Sequence, residues 1–366
     1  MRGVASVSLR IVERWPKSSK QESFCKGASC ALGWAREIQP DSRTPGALTL
    51  SDLLDPPAAL HPAKFQDPVT TARGERRAAV QLIALQTLWF NTGTLCNLTC
   101  ANCYIESSPV NDRLTYLTMT DLRGYLDEIA ADALPTRLIG FTGGEPFMNP
   151  DLPDMLELVL ARGLSAIVLT NAMKPMYRQQ ERLLKLRGYG ARLTIRVSLD
   201  HPTRAVHEAE RGARSWRPTI DGLRWLSAEG FEVHVAGRHF TGEDDATLRA
   251  GYAALFAELG VSINAHDPVA LTLFPEMDER ADVPEITDAC WGILHKSPSD
   301  VMCANSRMVV RRKGASGPRV VACTLLPYAP GFELGATLRE AARPVALNHP
   351  HCARFCVLGG ASCSVG

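Results

Sequence analysis

Three cysteines on one short stretch constrain this chain more than any other feature. In Leu95-Cys96-Asn97-Leu98-Thr99-Cys100-Ala101-Asn102-Cys103-Tyr104 the thiols are separated by three and then two residues. Thiolates spaced in this way can hold three corners of a four-iron four-sulfur cube and leave the fourth iron open to another ligand. A structural zinc site closes on four ligands, usually from two separated cysteine pairs, and the forty residues after Cys103 contain no Cys or His to complete one.

About forty residues further on, Leu138-Ile139-Gly140-Phe141-Thr142-Gly143-Gly144-Glu145-Pro146 is a short apolar strand that ends in a glycine-rich turn with one carboxylate. Glycines there let a ligand approach the backbone, and Glu145 could accept from an ammonium group. Taken together, the Cys-x3-Cys-x2-Cys loop and the Gly-Gly-Glu-Pro strand resemble the radical S-adenosylmethionine (radical SAM) superfamily. The resemblance implies that SAM chelates the open iron through its amino and carboxylate groups, and that the Gly143-Gly144-Glu145-Pro146 turn contacts the methionine amine. In that family the residue before the third cysteine is often aromatic. Here it is Asn102, with Tyr104 after the cysteine as the aromatic candidate for a cofactor contact.

With 366 residues, 45% hydrophobic and 22% charged, the chain can bury one large core and a smaller appendage. A formal net charge of +1 gives no global field that argues for nucleic acid or an acidic membrane surface. The first twenty residues lack the apolar core of a secretory signal, and no apolar run reaches bilayer-spanning length, so a cytoplasmic protein is expected. Eleven cysteines grouped by metal-ligand spacing in a chain this long suit a reducing compartment better than a disulfide framework.

Residues 1–80 are expected to form an irregular arm, because Pro16, Pro40, Pro45, Pro56, Pro57, Pro62 and Pro68 break any long element. Cys25 and Cys30 lie in it with no further Cys or His close by, and are expected to be free thiols. The arm could cover the open side of a barrel or be an over-long start of the reading frame. From about Gln81 strands and helices alternate, the pattern of a parallel sheet with crossover helices. Strands are expected at 83–90, 138–142, 166–171, 193–200, 231–236 and 261–265, with a helix opened by a Thr118/Asp121 capping box. Six βα units over residues 81–267 match the partial (β/α)6 TIM barrel of the radical SAM family, an α/β fold whose ligands gather at the C-terminal strand ends. Asn171, Ser198, Asp200 and Arg238 stand at such ends. The run from Ser198-Leu199-Asp200 to Arg211-Gly212 is similar to the family's Ser-x-Asp and Arg-Gly, which implies Ser198 on the SAM ribose and Arg211 on its carboxylate.

Residues 268–366 hold Cys290, expected as a buried thiol, and then Cys303, Cys323, Cys352, Cys356 and Cys363. The runs 308–312 and 319–322 are expected to form a hairpin with Cys303 and Cys323 at its open ends. Cys352 and Cys356 can add a second pair of ligands. This small hairpin-plus-helix region resembles the twitch type of auxiliary domain, a shortened relative of the SPASM domain, and so implies a second four-iron four-sulfur cluster. Zinc on the same four thiolates is the competing reading. Cys363 remains a spare ligand or a catalytic thiol that gives or takes a hydrogen atom.

The resemblance implies an enzyme that takes an electron from a donor such as flavodoxin or ferredoxin, cleaves SAM to methionine and a 5′-deoxyadenosyl radical, and draws a hydrogen atom from its substrate. A second cluster would accept the leftover electron or bind the substrate. The cations His201, Arg204, His207, Arg211, Arg214, Arg217, Arg238 and His239 could receive an anionic small molecule, so oxidation or rearrangement of a small molecule is the first reading. A peptide maturase forming a crosslink or epimer is the second. A non-catalytic iron-sulfur or zinc sensor is the third, and the Gly-Gly-Glu-Pro strand and Arg211 argue against it. No nucleic-acid or membrane partner is expected.

Overall fold

The computed structural model describes residues 58–239 and 242–362. Cys25, Cys30 and Cys363 lie outside the described residues. In chain order the elements are β1 (Ala79–Val80), β2 (Thr87–Asn91), α1 (Met119–Ala131), β3 (Leu138–Thr142), α2 (Leu152–Ala161) and β4 (Ser165–Thr170). Then come α3 (Lys174–Tyr177), α4 (Gln180–Leu184), β5 (Leu193–Ser198), α5 (Arg204–Arg211), α6 (Trp216–Ala228), β6 (Glu232–Arg238) and α7 (Asp245–Leu259). The remainder is β7 (Leu271–Phe274), α8 (Cys290–Ile293), β8 (Ser306–Val310), β9 (Arg319–Val321), β10 (Glu333–Gly335), β11 (Val345–Ala346) and a π-helix over Cys352–Leu358.

Strands β2 to β7 pair in parallel and in chain order, joined by helical crossovers. The sequence dictates this locally. Covered on both faces, β2 is buried at every position, and Ile167, Val168, Ile195 and Val197 of β4 and β5 are equally inaccessible. Thr118 caps α1 in a reciprocal capping box with Asp121, and Leu122, Tyr125, Leu126 and Ile129 repeat at helical spacing on its buried face. At the start of α7 the Asp244 carboxylate accepts from the Thr247 N–H, and Gly260 ends the helix in the left-handed conformation.

The sixth parallel strand is Leu271–Phe274, not Val261–Ala265. The 261–265 run leaves the helix cap at Gly260 as irregular chain with Val261 and Ala265 buried and Ser262 and Asn264 exposed, so its alternation imitates a strand. A division at residue 267 falls before this sixth strand.

The expected hairpin forms, with strands at Ser306–Val310 and Arg319–Val321. It joins the same sheet: β8 lies parallel to β2 with Thr87 opposite Ser306, and β9 and β10 continue outward in the order β10-β9-β8-β2. Residues 58–80 are irregular as their prolines require, yet they are tied down. Buried Arg77 pairs with Glu285 at 2.6 Å, Glu285 also accepts from the Phe65 and Ala72 N–H groups, and β1 pairs with β11. Among the described residues no helix is long and apolar enough to cross a membrane.

Candidate functional site

The cysteine loop leaves the end of β2 and folds back over the C-terminal edge of the sheet. Cys96, Cys100 and Cys103 line one cavity together with Thr142 and Gly143 at the end of β3, Asn171 after β4, Ser198 at the end of β5 and Arg238 at the end of β6. Tyr104, Gly144 and Arg211 line it as well. This is the position at which parallel sheets bind ligands.

Backbone N–H groups of Leu98 and Ser107 point at the sulfurs of Cys96 and Cys103, at 3.4 and 3.3 Å. Burial pushes the Cys96 thiol up to about 12, with the Glu145 carboxylate adding to the effect. Burial also raises Cys100 to about 11, against the opposing pull of Arg211. Thiols held in this way ionise when a cationic metal centre replaces the lost hydration.

The glycine turn is stitched to the cysteine loop. The Gly144 N–H donates to the Gly93 carbonyl at 2.9 Å and the Glu145 N–H to the Leu95 carbonyl at 3.1 Å. A Cβ at Gly144 would lie 2.3 Å from the Leu95 oxygen, and Gly143, at φ +141°, would place one 2.5 Å from the Gly93 oxygen. Only glycine permits this approach.

Two expectations change here. Glu145 is buried and faces inward: its carboxylate accepts from the Asn171 N–H and the Thr170 hydroxyl, both at 2.8 Å, and from the Phe147 N–H at 3.1 Å. Burial holds it up at about 6 despite those bonds. Pro146 is buried in the following turn. Neither residue lines the cavity, because the carboxylate serves to tie the end of β3 to that of β4. Arg211 does line it, but its guanidinium grips Asp200 with two bonds, Nε to Oδ2 at 2.6 Å and Nη2 to Oδ1 at 3.0 Å. Burial alone would lower its pKa; Asp200 and the Cys100 sulfur outweigh that and raise it.

Glu210 is the residue that motif reading missed. Its buried carboxylate accepts from the Asn102 N–H at 3.1 Å, from Asn102 Nδ2 at 2.8 Å and from Arg238 Nη1 at 2.6 Å, while its carbonyl accepts from the Ala101 N–H. It clasps the cysteine loop between Cys100 and Cys103. The one sequence signal was Asn102 standing where an aromatic residue is common. Carboxylates meet much of the cation-rich stretch: Arg204 pairs with Glu208 and Arg217 with Asp221, while the His201 and His239 rings contact Glu243 and Asp245. His207 is fully buried.

On the opposite side the cavity is walled by Phe274, Met277, Leu325 and Phe355, and Phe355 stacks on Phe274 with ring centroids 5.4 Å apart. Phe355 belongs to the π-helix that carries Cys352 and Cys356, four residues apart and so on neighbouring turns of one face. Cys303 and Cys352 are buried, Cys323 and Cys356 half-buried. Burial raises the Cys352 thiol, and the nearby sulfurs of Cys323 and Cys303 raise it further. Burial pushes Cys303 up to about 11. These four cysteines do not line the cavity; the residues beside them do. Cys290 is half-buried, with its sulfur 3.4 Å from the Thr287 N–H.

Residues 90–250 match the radical SAM superfamily. AlbA of Bacillus subtilis, an antilisterial bacteriocin subtilosin biosynthesis protein, is 32% identical over 142 residues, which is 38% of this chain and 30% of that protein. Fe-coproporphyrin III synthase of Methanosarcina barkeri is 29% identical over 153 residues, covering 42% of this chain and 36% of that protein. In fold the chain resembles SuiB of Streptococcus suis bound to S-adenosylmethionine, with a TM-score of 0.50 and 13% identity over 70% of this chain and 64% of that one. SuiB is also solved with its precursor peptide SuiA. The chain spans less than two thirds of each of these relatives. Radical SAM proteins carry a four-iron four-sulfur cluster and SAM, and these are the cofactors of this domain. The residues present fit them: three thiols on one loop line a single cavity with Gly143 and Gly144, whose lack of a side chain lets the turn pack directly against that loop.

Proposed function

We propose that this chain, whose residues 90–250 form a radical SAM superfamily domain, is an enzyme that oxidises or rearranges its substrate after abstraction of one hydrogen atom. One observation carries the reading: the cysteine loop, the glycine turn, Arg211 and the apolar wall around Phe355 converge on one cavity. When bound, the cluster and SAM supply one-electron cleavage of SAM to methionine and a 5′-deoxyadenosyl radical.

Cys96, Cys100 and Cys103 hold the cluster. Gly143 and Gly144 give the methionine end room against bare backbone, and Glu145 with Pro146 fixes the turn that makes that room. Ser198 and Asn171 present hydrogen-bonding groups to the ribose side, and Tyr104 faces the adenine side. Arg211, preset by Asp200, offers its remaining donors to the SAM carboxylate. Phe274, Met277, Leu325 and Phe355 keep water from the reacting carbon.

Cys303, Cys323, Cys352 and Cys356 would hold a second four-iron four-sulfur cluster in a twitch-like region, and such a cluster would supply an acceptor for the substrate's leftover electron or an anchor for the substrate. Cys363 is a spare ligand, in place of Cys352 or Cys356, or a catalytic thiol that gives or takes a hydrogen atom. The partial barrel of the family accounts for the six parallel strands, and an external flavodoxin- or ferredoxin-like donor supplies the electron.

The substrate is a small molecule or a peptide side chain set against the apolar wall. Likeness to AlbA and SuiB favours the peptide, and likeness to Fe-coproporphyrin III synthase favours the small molecule. The carboxylates along the cation-rich stretch weaken the case for a strongly anionic substrate.

Anaerobic reconstitution tests this. The wild type is expected to hold about eight irons per chain, for two four-iron clusters, and to form 5′-deoxyadenosine under reductant. A variant with Cys96, Cys100 and Cys103 all changed to Ala is expected to form none and to keep the C-terminal metal. Retained SAM cleavage in that variant overturns the assignment.

A further inference from the structure

Arg307, on β8 beside the second cysteine group, is a fully buried cation. Its Nε donates to the Ala341 carbonyl at 2.9 Å, Nη1 to the carbonyls of Cys303 at 2.6 Å and Ser306 at 2.8 Å, and Nη2 to the Arg343 carbonyl at 3.2 Å. Among the described residues no carboxylate pairs with it. Buried Arg77 shows the usual alternative, with Glu285 at 2.6 Å. Four carbonyl dipoles take four of the five N–H groups of Arg307 but carry no net charge to set against it, and an uncompensated buried ion is strongly unfavourable. Burial lowers its pKa, and the sulfurs of Cys303 and Cys323 beside it offset that only in part. The attraction is mutual, since Arg307 pulls the Cys303 thiol downward.

We infer that Arg307 is the built-in counter-charge of a metal–thiolate complex on Cys303, Cys323, Cys352 and Cys356, and that it governs how firmly the complex is retained and at what potential it takes an electron. The inference rests on reading these cysteines as the second cluster site. Four thiolates outweigh the positive charge of a four-iron core, so the loaded site is anionic and becomes more so on gaining an electron. A fixed cation stabilises the more negative state more and thereby raises the potential.

The test compares anaerobically reconstituted wild type with Arg307→Lys, Arg307→Gln, and a protein carrying citrulline at position 307. Citrulline keeps the planar shape and most donors but is neutral, so it remains informative if the Gln variant does not fold. Iron per chain, loss of iron to a chelator and a spectroscopic redox titration are read. In the citrulline and Gln proteins the second cluster is expected to titrate at a more negative potential and to lose iron several-fold faster, with Lys close to wild type. Unchanged potential and retention in the citrulline protein overturn the inference while leaving the second cluster standing. If the wild type binds one four-iron cluster and one zinc, the cluster reading fails and the counter-charge is judged by zinc loss: faster with citrulline supports it, unchanged overturns it. A wild type with no metal on these cysteines overturns both.

Discussion

Replacing Glu210 by Ala removes the acceptor of three groups at once, the Asn102 N–H, the Asn102 amide and Arg238 Nη1, and leaves Arg238 its longer pairing with Glu276 at 3.7 Å. Breaking a buried pair in this way costs about 3–5 kcal/mol. Glu210→Ala is therefore expected to lower the thermal midpoint and, by freeing the loop between Cys100 and Cys103, to shorten the lifetime of the bound iron. Normal iron retention would show that the clasp plays no part in cofactor binding. His207 supplies a pH dependence. Burial, with Arg211 adding to it, holds its imidazole down at about 4 from an ordinary value of 6.5, and neither ring nitrogen has a hydrogen-bond partner among the described residues. As pH falls from 6.5 towards 4, the unfolded chain takes up a proton that the folded one refuses. Stability is lost over that window, by up to about 3 kcal/mol from this residue. Thermal melts between pH 7 and pH 4.5 should fall less steeply for His207→Gln than for wild type. Of these residues Arg211 and Asp200 were legible from their motif, whereas their pairing with each other and the role of Glu210 were not. In the run His207-Glu208-Ala209-Glu210-Arg211 both acids look alike, and only the turn of α5 sends Glu210 inward while Glu208 meets Arg204.

At the scale of elements, local chemistry was readable wherever one physical cause dominated. The Thr118/Asp121 box, the buried run of β4 and the hairpin around Gly314 each follow from caps, pattern or turn residues. Val261–Ala265 was misjudged because half-buried coil and half-buried strand share an alternation, and pairing partners decide between them. The π-helix at Cys352–Leu358 has no turn or cap signal of its own. Contact between strands also explains Gly140. It sits opposite Trp89 in the β2–β3 register, and a Cβ there would lie 2.2 Å from the indole ring. Gly140→Ala is expected to destabilise the fold by about 1–3 kcal/mol through overpacking, measured by denaturant titration. A second change of Trp89 to Leu should recover part of the loss; additive losses would mean that the ring is not the obstacle.

For the whole molecule, the consequential feature is the parallel pairing of β8 with β2. It sets the strand that leads into the first cysteine loop beside the strand that follows Cys303, and Arg311 at the end of β8 pairs with the capping residue Asp121 at 2.8 Å. The sheet is therefore continuous from the barrel-like strands into the hairpin. On the ribosome this arrangement imposes an order. The inner flank of β2 waits for its partner until about 220 more residues have been made, a long closure that slows folding and leaves a bare strand edge in the meantime. A chain stopped before Ser306 should aggregate or stay chaperone-bound, while adding the hairpin in trans as residues 298–362 should restore solubility. Soluble, monodisperse protein from the truncated chain alone would refute this. Until Leu325 and Phe355 have been made, the cavity of the first cysteine loop lacks half of its apolar wall, so metal delivered before then would meet a site open to water.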